Sequence, residues 1–178
     1  MITMSDYGVP QKRVRFILFG IKDGNPQKFF EKLEEQRDNF LMGKGYSSPV
    51  CVKDAIGDLE QKHGVVESSD SKGFFNGVYG KIETPYQKLM RSSISNKTVP
   101  DSHRFAKQHK DTIEILKKLM AVSDNSFRIT PQQNLVEGLK KRGVTPLKPH
   151  VICPTITSIP DDLVHYSEPR IMTVREHA

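Results

Sequence analysis

The sequence has no tryptophan and only two cysteines, Cys51 and Cys153. Neither cysteine belongs to a C-x-x-C pair, which excludes the usual zinc-site spacing, and two cysteines do not make a disulfide scaffold. No apolar run approaches 18 residues, so no transmembrane helix is expected. The first residues also lack the charged and apolar regions of a secretion signal. These absences favour a cytoplasmic protein with reduced thiols and no membrane partner.

The composition that remains is that of an ordinary globular domain. With 178 residues, 36% hydrophobic and 27% charged, the chain can build a core and is not expected to be disordered. Lysine and arginine total 27 against 21 acidic residues, which gives a net charge of +6. This moderate excess permits a polyanion such as nucleic acid as a partner, but it does not require one.

The apolar pattern predicts an α+β fold with several short helices and few strands. Residues 15–21, "RFILFGI", predict a strand covered on both faces, as inside a parallel sheet. No second run of that quality is present, so its sheet lies elsewhere or includes weaker segments. Helices are expected over residues 25–41, 52–60, 84–91, 104–120 and 130–142. Residues 61–82 are rich in turn residues and could hold a short hairpin, and residues 150–159 are a weaker strand candidate.

The last residues contain a helix start. Thr173 and Glu176 form a T-x-x-E capping box two residues before Ala178. Together with the unpaired strand at residues 15–21, this pattern predicts that both ends were cut from a larger protein.

Two segments carry a family likeness. "YGVPQKRVRFILFG", residues 7–20, resembles the eighth conserved block of DNA cytosine-5 methyltransferases, whose core is Q-K-R-x-R. "PRIMTVREHA", residues 169–178, resembles the ninth block, R-x-L-T-x-R-E-x-A, with Met172 in place of the usual leucine. "VKDAIGDL" and "CPTITSIPDDLVHYSEPR" are similar to conserved segments between these blocks, and all four occur in the family's order.

The resemblance implies a domain organisation. Residues 1–22 would be the last strand of an α/β catalytic domain, residues 23–168 the target-recognition domain, and residues 169–178 the start of the helix returning to the catalytic domain. The family's P-C-Q nucleophile, F-x-G-x-G cofactor loop and E-N-V segment are absent from this sequence. The chain is therefore expected to be a fragment that lacks activity by itself and binds no cofactor.

The resemblance also implies a reaction and partners for the parent protein. The parent would transfer a methyl group from S-adenosylmethionine to carbon 5 of a flipped cytosine in a short duplex site, as in bacterial restriction–modification. Its partners would be double-stranded DNA and the missing catalytic domain of the same polypeptide. The expected location is the bacterial cytoplasm, at the nucleoid.

The catalytic positions implied by the resemblance are Arg15 and Arg13. In the family, a thiolate adds to carbon 6 of cytosine, and negative charge develops on the ring nitrogen and carbonyl oxygen. The position of Arg15 stabilises that charge, a role for which a permanently charged, planar guanidinium is suited. The position of Arg13 approaches the DNA backbone and nearby active-site loops. Alternation along an extended segment predicts both arginines on one side and Val14 in the core.

Further candidates are polar residues in loops, where DNA contacts are expected. They are Gln11, Lys12, Arg91, Lys97, His103, Arg104, Thr155 and Thr157. For residues 103–110 an exposed helix face is an equally good explanation, and His103 and His109 would lie on opposite sides of such a helix, so no metal site is expected. The ninth-block residues Arg170, Thr173, Arg175 and Glu176 are predicted to be structural.

Two other interpretations stay open at this point. The chain could be a self-contained, non-enzymatic basic protein that binds nucleic acid, with Q-K-R-V-R as a phosphate-binding patch. It could also be the remnant of a decayed gene. The target DNA sequence and the oligomeric state are not readable from the sequence.

Overall fold

The computed structural model describes residues 1–46, 49–94, 98–158 and 160–178. The helices in these ranges are α1 (Gln27–Glu35), α2 (Arg37–Gly43), α3 (Val52–Ile56), α4 (Pro85–Met90), α5 (Lys110–Val122) and α6 (Val174–His177). The strands are β1 (Ile2–Thr3), β2 (Val14–Arg15), β3 (Val65–Glu67), β4 (Phe75–Gly77), β5 (Thr145–Pro146) and β6 (Leu163–Val164). Short 3-10 helices cover Met4–Tyr7, Gly57–Leu59, Gln61–His63, Pro131–Gln133 and Pro160–Asp162. The predicted α+β class is confirmed.

The strands form three two-stranded sheets. β1 pairs with β2 and β3 pairs with β4, both antiparallel, whereas β5 and β6 are parallel. An isolated antiparallel bridge between Val164 and Ile171 brings the chain after β6 back alongside it. None of these sheets is large enough to stand alone, because a two-stranded unit is marginal without packing against another element.

The core is organised around β6, whose two residues face different clusters. Leu163 packs in a cluster with α3 and Met172, and Val164 packs in a second cluster with Leu119 of α5. Neighbouring side chains on a strand point in opposite directions, so a strand of two residues can join both clusters. The core therefore lies between α3, the β5–β6 pair and α5.

Helix starts predicted from the sequence are present where capping chemistry dictates them. The Thr84 hydroxyl accepts a hydrogen bond from the Gln87 backbone N–H at 3.2 Å, with Pro85 in the first helical position of α4. At α6 the Glu176 carboxylate accepts from the Thr173 N–H at 2.7 Å, and the Thr173 hydroxyl accepts from the Glu176 N–H at 3.4 Å. The predicted T-x-x-E capping box is confirmed.

The prediction of a buried strand over residues 15–21 is wrong for this chain. The strand covers only Val14 and Arg15, and Phe16 and Leu18 are 77% and 85% exposed. Val14, predicted to face the core, is 53% exposed. A doubly covered strand needs partners along both edges and packing on both faces, and the described residues supply only β1.

Other predicted elements are shorter than expected or displaced. Residues 25–41 form two helices, and neither α1 nor α2 buries a residue, so the buried face predicted for them is not formed. The helix predicted from residue 104 begins at Lys110, because residues 103–105 pair with β4 instead. The helix predicted over 130–142 is limited to Pro131–Gln133. In residues 150–158 the predicted strand is reduced to one bridge between Cys153 and Gln11.

Candidate functional site

The Q-K-R-V-R segment is held between two extended segments. On one side β2 pairs with β1, and the Met4 N–H donates to the Arg13 carbonyl at 2.9 Å. On the other side the Lys12 N–H donates to the Cys153 carbonyl at 2.8 Å, and the Cys153 N–H donates to the Pro10 carbonyl at 3.2 Å. The Thr155 hydroxyl also donates to the Lys12 carbonyl. The fold thus fixes the backbone of the cationic segment while its side chains remain at the surface.

Arg13 and Arg15 share one side of this segment. Both are half-buried, whereas the intervening Val14 is exposed. The Arg13 guanidinium donates to the Gln11 side-chain oxygen at 3.2 Å, and the Arg15 guanidinium donates to the Val14 carbonyl at 2.8 Å. Neither arginine forms an ion pair with a carboxylate of the described residues. Their charges are therefore available to a partner.

The first and last conserved-looking segments border the same cleft, which has a volume of about 260 Å³. Gln11, Arg175 and Glu176 line it, together with apolar residues of α3. Cys153, which pairs with Gln11, also lines the cleft. Segments from opposite ends of the chain thus meet at one place in the fold.

The ninth-block residues form a buried ion-pair cluster. Arg170 donates two parallel hydrogen bonds to the Glu176 carboxylate, at 2.8 and 2.7 Å, and a third to Glu168 at 2.6 Å. Burial alone would raise the pKa of Glu176, but the hydrogen bonds and charge of Arg170 outweigh burial and hold that pKa below its usual value. Arg175 reaches out of the cluster to Asp101. Arg170, Thr173 and Glu176 therefore carry contacts that hold the fold together.

The whole chain matches one protein family. A family model described as C-5 cytosine-specific DNA methylase matches residues 1–178, which include the cationic segment and the buried cluster. The chain belongs to this family. No curated protein and no solved structure matches the chain.

Four of the sequence-predicted DNA contacts lie on or near the cationic segment. Lys12 is exposed, as are Thr155 and Thr157. The pairing of residues 10–12 with residues 153–155 brings Lys12 and Thr155 to the same stretch of surface. Gln11 is half-buried and bonded to Arg13.

The other sequence-predicted DNA contacts are spread over the described chain. Arg91 is half-buried, donates to Asp58 at 3.2 Å and to the Gly80 carbonyl at 2.9 Å, and stacks on Tyr79 with its guanidinium carbon 4.1 Å from the ring centroid. Arg104 remains exposed and stacks on Phe74 at 5.0 Å. Lys97 lies outside the described residues.

His103, expected at the DNA surface, is instead buried. Its ring nitrogens lie 2.8 Å from the Thr173 hydroxyl oxygen and 2.9 Å from the Leu59 carbonyl oxygen. Because both nitrogens are engaged inside the protein and the ring is buried, His103 is not available to contact DNA. The His103 ring thus links Thr173 of the ninth block to the Leu59 carbonyl in the interior.

Sequence reasoning missed His165 and its neighbours. His165 is fully buried, and its Nε2 has no hydrogen-bond partner among the described residues, while lying 3.7 Å from the Glu176 carboxylate. Burial, followed by the charge of Arg170, lowers the pKa of His165 to about 4. Stacked on it at 4.5 Å is Tyr166, whose hydroxyl donates to Glu60. The segment "HYSEPR" contained the signal, since it places two charged residues and a histidine beside the ninth block.

Metal-ligating clusters and membrane-spanning helices are both absent from the described ranges. No group of three or more histidine, cysteine, aspartate or glutamate residues there is arranged to hold a metal ion. No helix there is long and apolar enough to span a bilayer.

Proposed function

We propose that this chain is the target-recognition part of a C-5 cytosine DNA methyltransferase, with the boundaries 1–22, 23–168 and 169–178 given above. It would hold duplex DNA in the bacterial cytoplasm while a catalytic domain of the same polypeptide performs methyl transfer. The observation that carries this proposal is the junction at Arg15. There a cationic segment on a fixed backbone runs directly into uncovered apolar residues, inside a region matched by the family.

The uncovered apolar surface is the expected footprint of the catalytic domain. Phe16, Ile17, Leu18 and Ile21 are all exposed, and Phe19 stacks on Phe29 of α1 at 4.1 Å. An exposed apolar surface of this extent is typical of an interface. Because apolar residues occupy both faces of this segment, the partner that fits it is the interior of a parallel sheet.

Arg15 would act on the cytosine. As negative charge develops on the carbonyl oxygen of the base, a guanidinium fixed beside it lowers the barrier, and one such preorganised donor contributes about 3–4 kcal/mol. Arg15 suits this role because its backbone is paired with β1 and its charge has no carboxylate partner in the described chain. Arg13, on the same side, would face the DNA backbone near the reacting base.

S-adenosylmethionine is the methyl donor that the family implies, and the described residues do not fit it. Adenine-containing cofactors typically bind where a parallel strand leads through a glycine-rich turn into a helix. Within the described ranges, neither β5 nor β6 is followed by such a turn and helix. We therefore assign no step of the cofactor to these residues and propose that the catalytic domain binds it.

DNA would lie against Lys12, Arg13, Thr155 and Thr157. A lysine and an arginine neutralise phosphate charge. The Thr155 hydroxyl, which donates to the Lys12 carbonyl, would hold the backbone that presents Lys12 to the duplex. The backbone pairing of residues 10–12 with 153–155 supports this grouping, because it makes one surface from two distant segments. Gln11 would position Arg13 through their mutual hydrogen bond.

Two assays test the proposal. The purified chain is titrated with labelled mixed-sequence duplex, and it is incubated with duplex and methyl-labelled S-adenosylmethionine. We expect salt-sensitive duplex binding that Lys12→Ala weakens, with Lys28→Ala on the exposed side of α1 as the matched control. We expect no methyl incorporation above a blank without protein.

Each unexpected assay result would refute a different part of the proposal. Incorporation above the blank would show that the chain is itself an active enzyme. Absence of duplex binding at low salt would refute the DNA-recognition role. Binding without incorporation is also what a self-contained nucleic-acid-binding protein would give. That alternative is separated by fusing a family catalytic domain upstream of Met1, which should yield a methyltransferase only under our proposal.

A further inference from the structure

The β3–β4 hairpin forms a projecting ribbon, defined here as residues 65–77. Its strands pair in register, with Val65 opposite Gly77 and Glu67 opposite Phe75. At the base, the Val78 N–H donates to the Gly64 carbonyl at 3.1 Å. The ribbon contains none of the residues proposed above to contact DNA or cytosine.

The base of the ribbon is anchored to the interior. Residues 103–105 pair with the free edge of β4, since the Gly77 N–H donates to the His103 carbonyl at 3.1 Å and the Phe105 N–H donates to the Phe75 carbonyl at 2.9 Å. Gly77 is required at this contact, because a Cβ there would lie 2.5 Å from the buried His103 ring. The direction of the ribbon is thereby set by the core.

The loop at the tip, residues 68–74, is closed by its own hydrogen bonds. The Ser68 N–H donates to the Phe74 carbonyl at 2.9 Å, and the Ser68 hydroxyl donates to the Asp70 carboxylate at 2.6 Å. Arg104 stacks on Phe74 and donates to Ser71. These contacts give the loop a defined shape before any partner binds, which reduces the ordering entropy lost on binding.

The outer surface of the ribbon is left uncovered by the rest of the described chain. Val65, Val66 and Phe75 are between 39% and 50% exposed. Lys72, in the tip loop, is exposed and forms no hydrogen bond or ion pair with the other described residues. A preorganised ribbon with apolar flanks and one unpaired cation at its tip has the features of a recognition element.

We propose that this ribbon enters the major groove of the substrate duplex and that Lys72 contacts a guanine there. The proposal rests on the proposed function, because it names the part of the recognition domain that reads the sequence. Two paired strands are about 5 Å apart, and the major groove, about 12 Å wide, admits such a ribbon with its side chains. Lysine donating to guanine O6 and N7 is among the commonest specific contacts, and apolar side chains contact thymine methyl groups.

The charges around the tip favour DNA over a protein partner. Asp70 accepts a hydrogen bond from Ser68 and lies 4.0 Å from the Arg104 guanidinium, so its negative charge is partly offset within the ribbon although its side chain is exposed. Antiparallel pairing directs the chain after Phe105 towards the tip, where the exposed Lys107 follows Arg104. Lys72, Arg104 and Lys107 thus outnumber Glu67 and Asp70 at the end of the ribbon.

The test is a comparison of sequence preference between variants of the whole chain. The wild-type chain, Lys72→Ala, Lys72→Arg and Lys118→Ala are titrated on a panel of duplexes that differ at single base pairs. Lys118 is the matched control, an exposed lysine on α5 whose loss can weaken phosphate attraction only uniformly. Thermal unfolding of each variant checks that the fold is unchanged.

We expect Lys72→Ala to lose at least about fivefold of the preference for one G·C position. Lys72→Arg should retain that preference, and Lys118→Ala should leave the whole preference profile unchanged. A wild-type profile in Lys72→Ala would overturn the proposal, and so would wild-type binding without any preference. In the first case the proposed function would stand. In the second case DNA binding would stand, but the sequence-reading part of the proposed function would fail with the proposal. A wild-type chain that bound no duplex would refute the proposed function itself.

Discussion

At the scale of single residues, the buried pair of Arg170 and Glu176 is the ion pair expected to contribute most to the stability of the fold. Arg170 is largely buried, the Glu176 side chain is fully buried, and two parallel hydrogen bonds join them. Removing one partner leaves an uncompensated charge in the interior, whereas removing an exposed partner leaves a charge that water can solvate. The effect of an ion pair on the free energy of unfolding therefore depends more on its burial than on the number of ion pairs in the protein.

Arg170→Ala should lower the free energy of unfolding by about 3–5 kcal/mol. Urea denaturation followed by circular dichroism measures it. The matched control is Arg37→Ala, which removes an exposed pair with Asp38 and should leave the urea midpoint unchanged. Similar midpoints for both variants would show that the Arg170 cluster does not stabilise the fold.

His165 predicts a pH dependence of stability. Its pKa is about 4 in the folded chain and about 6.5 when unfolded, so the unfolded chain binds more protons between these values. Stability should therefore fall as the pH decreases from about 6.5 to 4, by about 3 kcal/mol from this group. Urea midpoints across this range measure the loss. His165→Gln should show a flatter profile than the wild type, and an equally steep profile would assign the effect to other groups.

Arg15 belongs to the same scale but is tested in a larger protein. In a polypeptide that also carries the catalytic domain, Arg15→Ala should reduce kcat for methyl transfer by about 10²–10³-fold, as expected for removing one preorganised charge stabiliser. DNA affinity should stay unchanged, because the interaction arises as charge develops on the base. Single-turnover assays beside duplex titrations separate the two, and an unchanged kcat would remove Arg15 from catalysis.

At the scale of elements, local capping chemistry was readable from the sequence and pairing over long distances was not. The starts of α4 and α6 follow from Thr84–Pro85 and from Thr173 with Glu176, because a cap is decided within four residues. The segment 15–21 has a strong strand pattern but remains uncovered, since a strand depends on partners that local sequence does not supply. Residues 103–105 are not part of the predicted helix, because their backbone groups pair with β4 instead.

Two leucines contrast an uncovered element with a buried one. Leu18→Ala should change the free energy of unfolding by no more than about 0.5 kcal/mol, because this side chain is exposed in the chain. Leu119→Ala in α5 should lower it by about 2–5 kcal/mol, since Leu119 is completely buried. Denaturant unfolding compares them directly. A large loss in Leu18→Ala would show that residues 16–21 are covered within this chain, contrary to the proposed interface.

At the scale of the whole molecule, the family and the fold class were predictable from the sequence, whereas the positions of the candidate site residues in the fold were not. The match over residues 1–178 agrees with the resemblance carried by Q-K-R-V-R and T-V-R-E. The buried position of His103 and the cluster around His165 were not predictable, because burial of polar residues depends on contacts between segments far apart in sequence. Lys12 and Thr155 likewise come together through tertiary pairing.

The central claim is that this chain binds duplex DNA through its basic surface and reads sequence as part of a cytosine methyltransferase. Its most direct test is a titration of the chain with cognate and altered duplexes at several salt concentrations. We predict a linear fall of the logarithm of the binding constant with the logarithm of salt, with a slope of about −0.9 for each phosphate neutralised, and a preference for one sequence that persists at high salt. Binding that ignores salt, or that shows no preference at any salt concentration, would contradict the account.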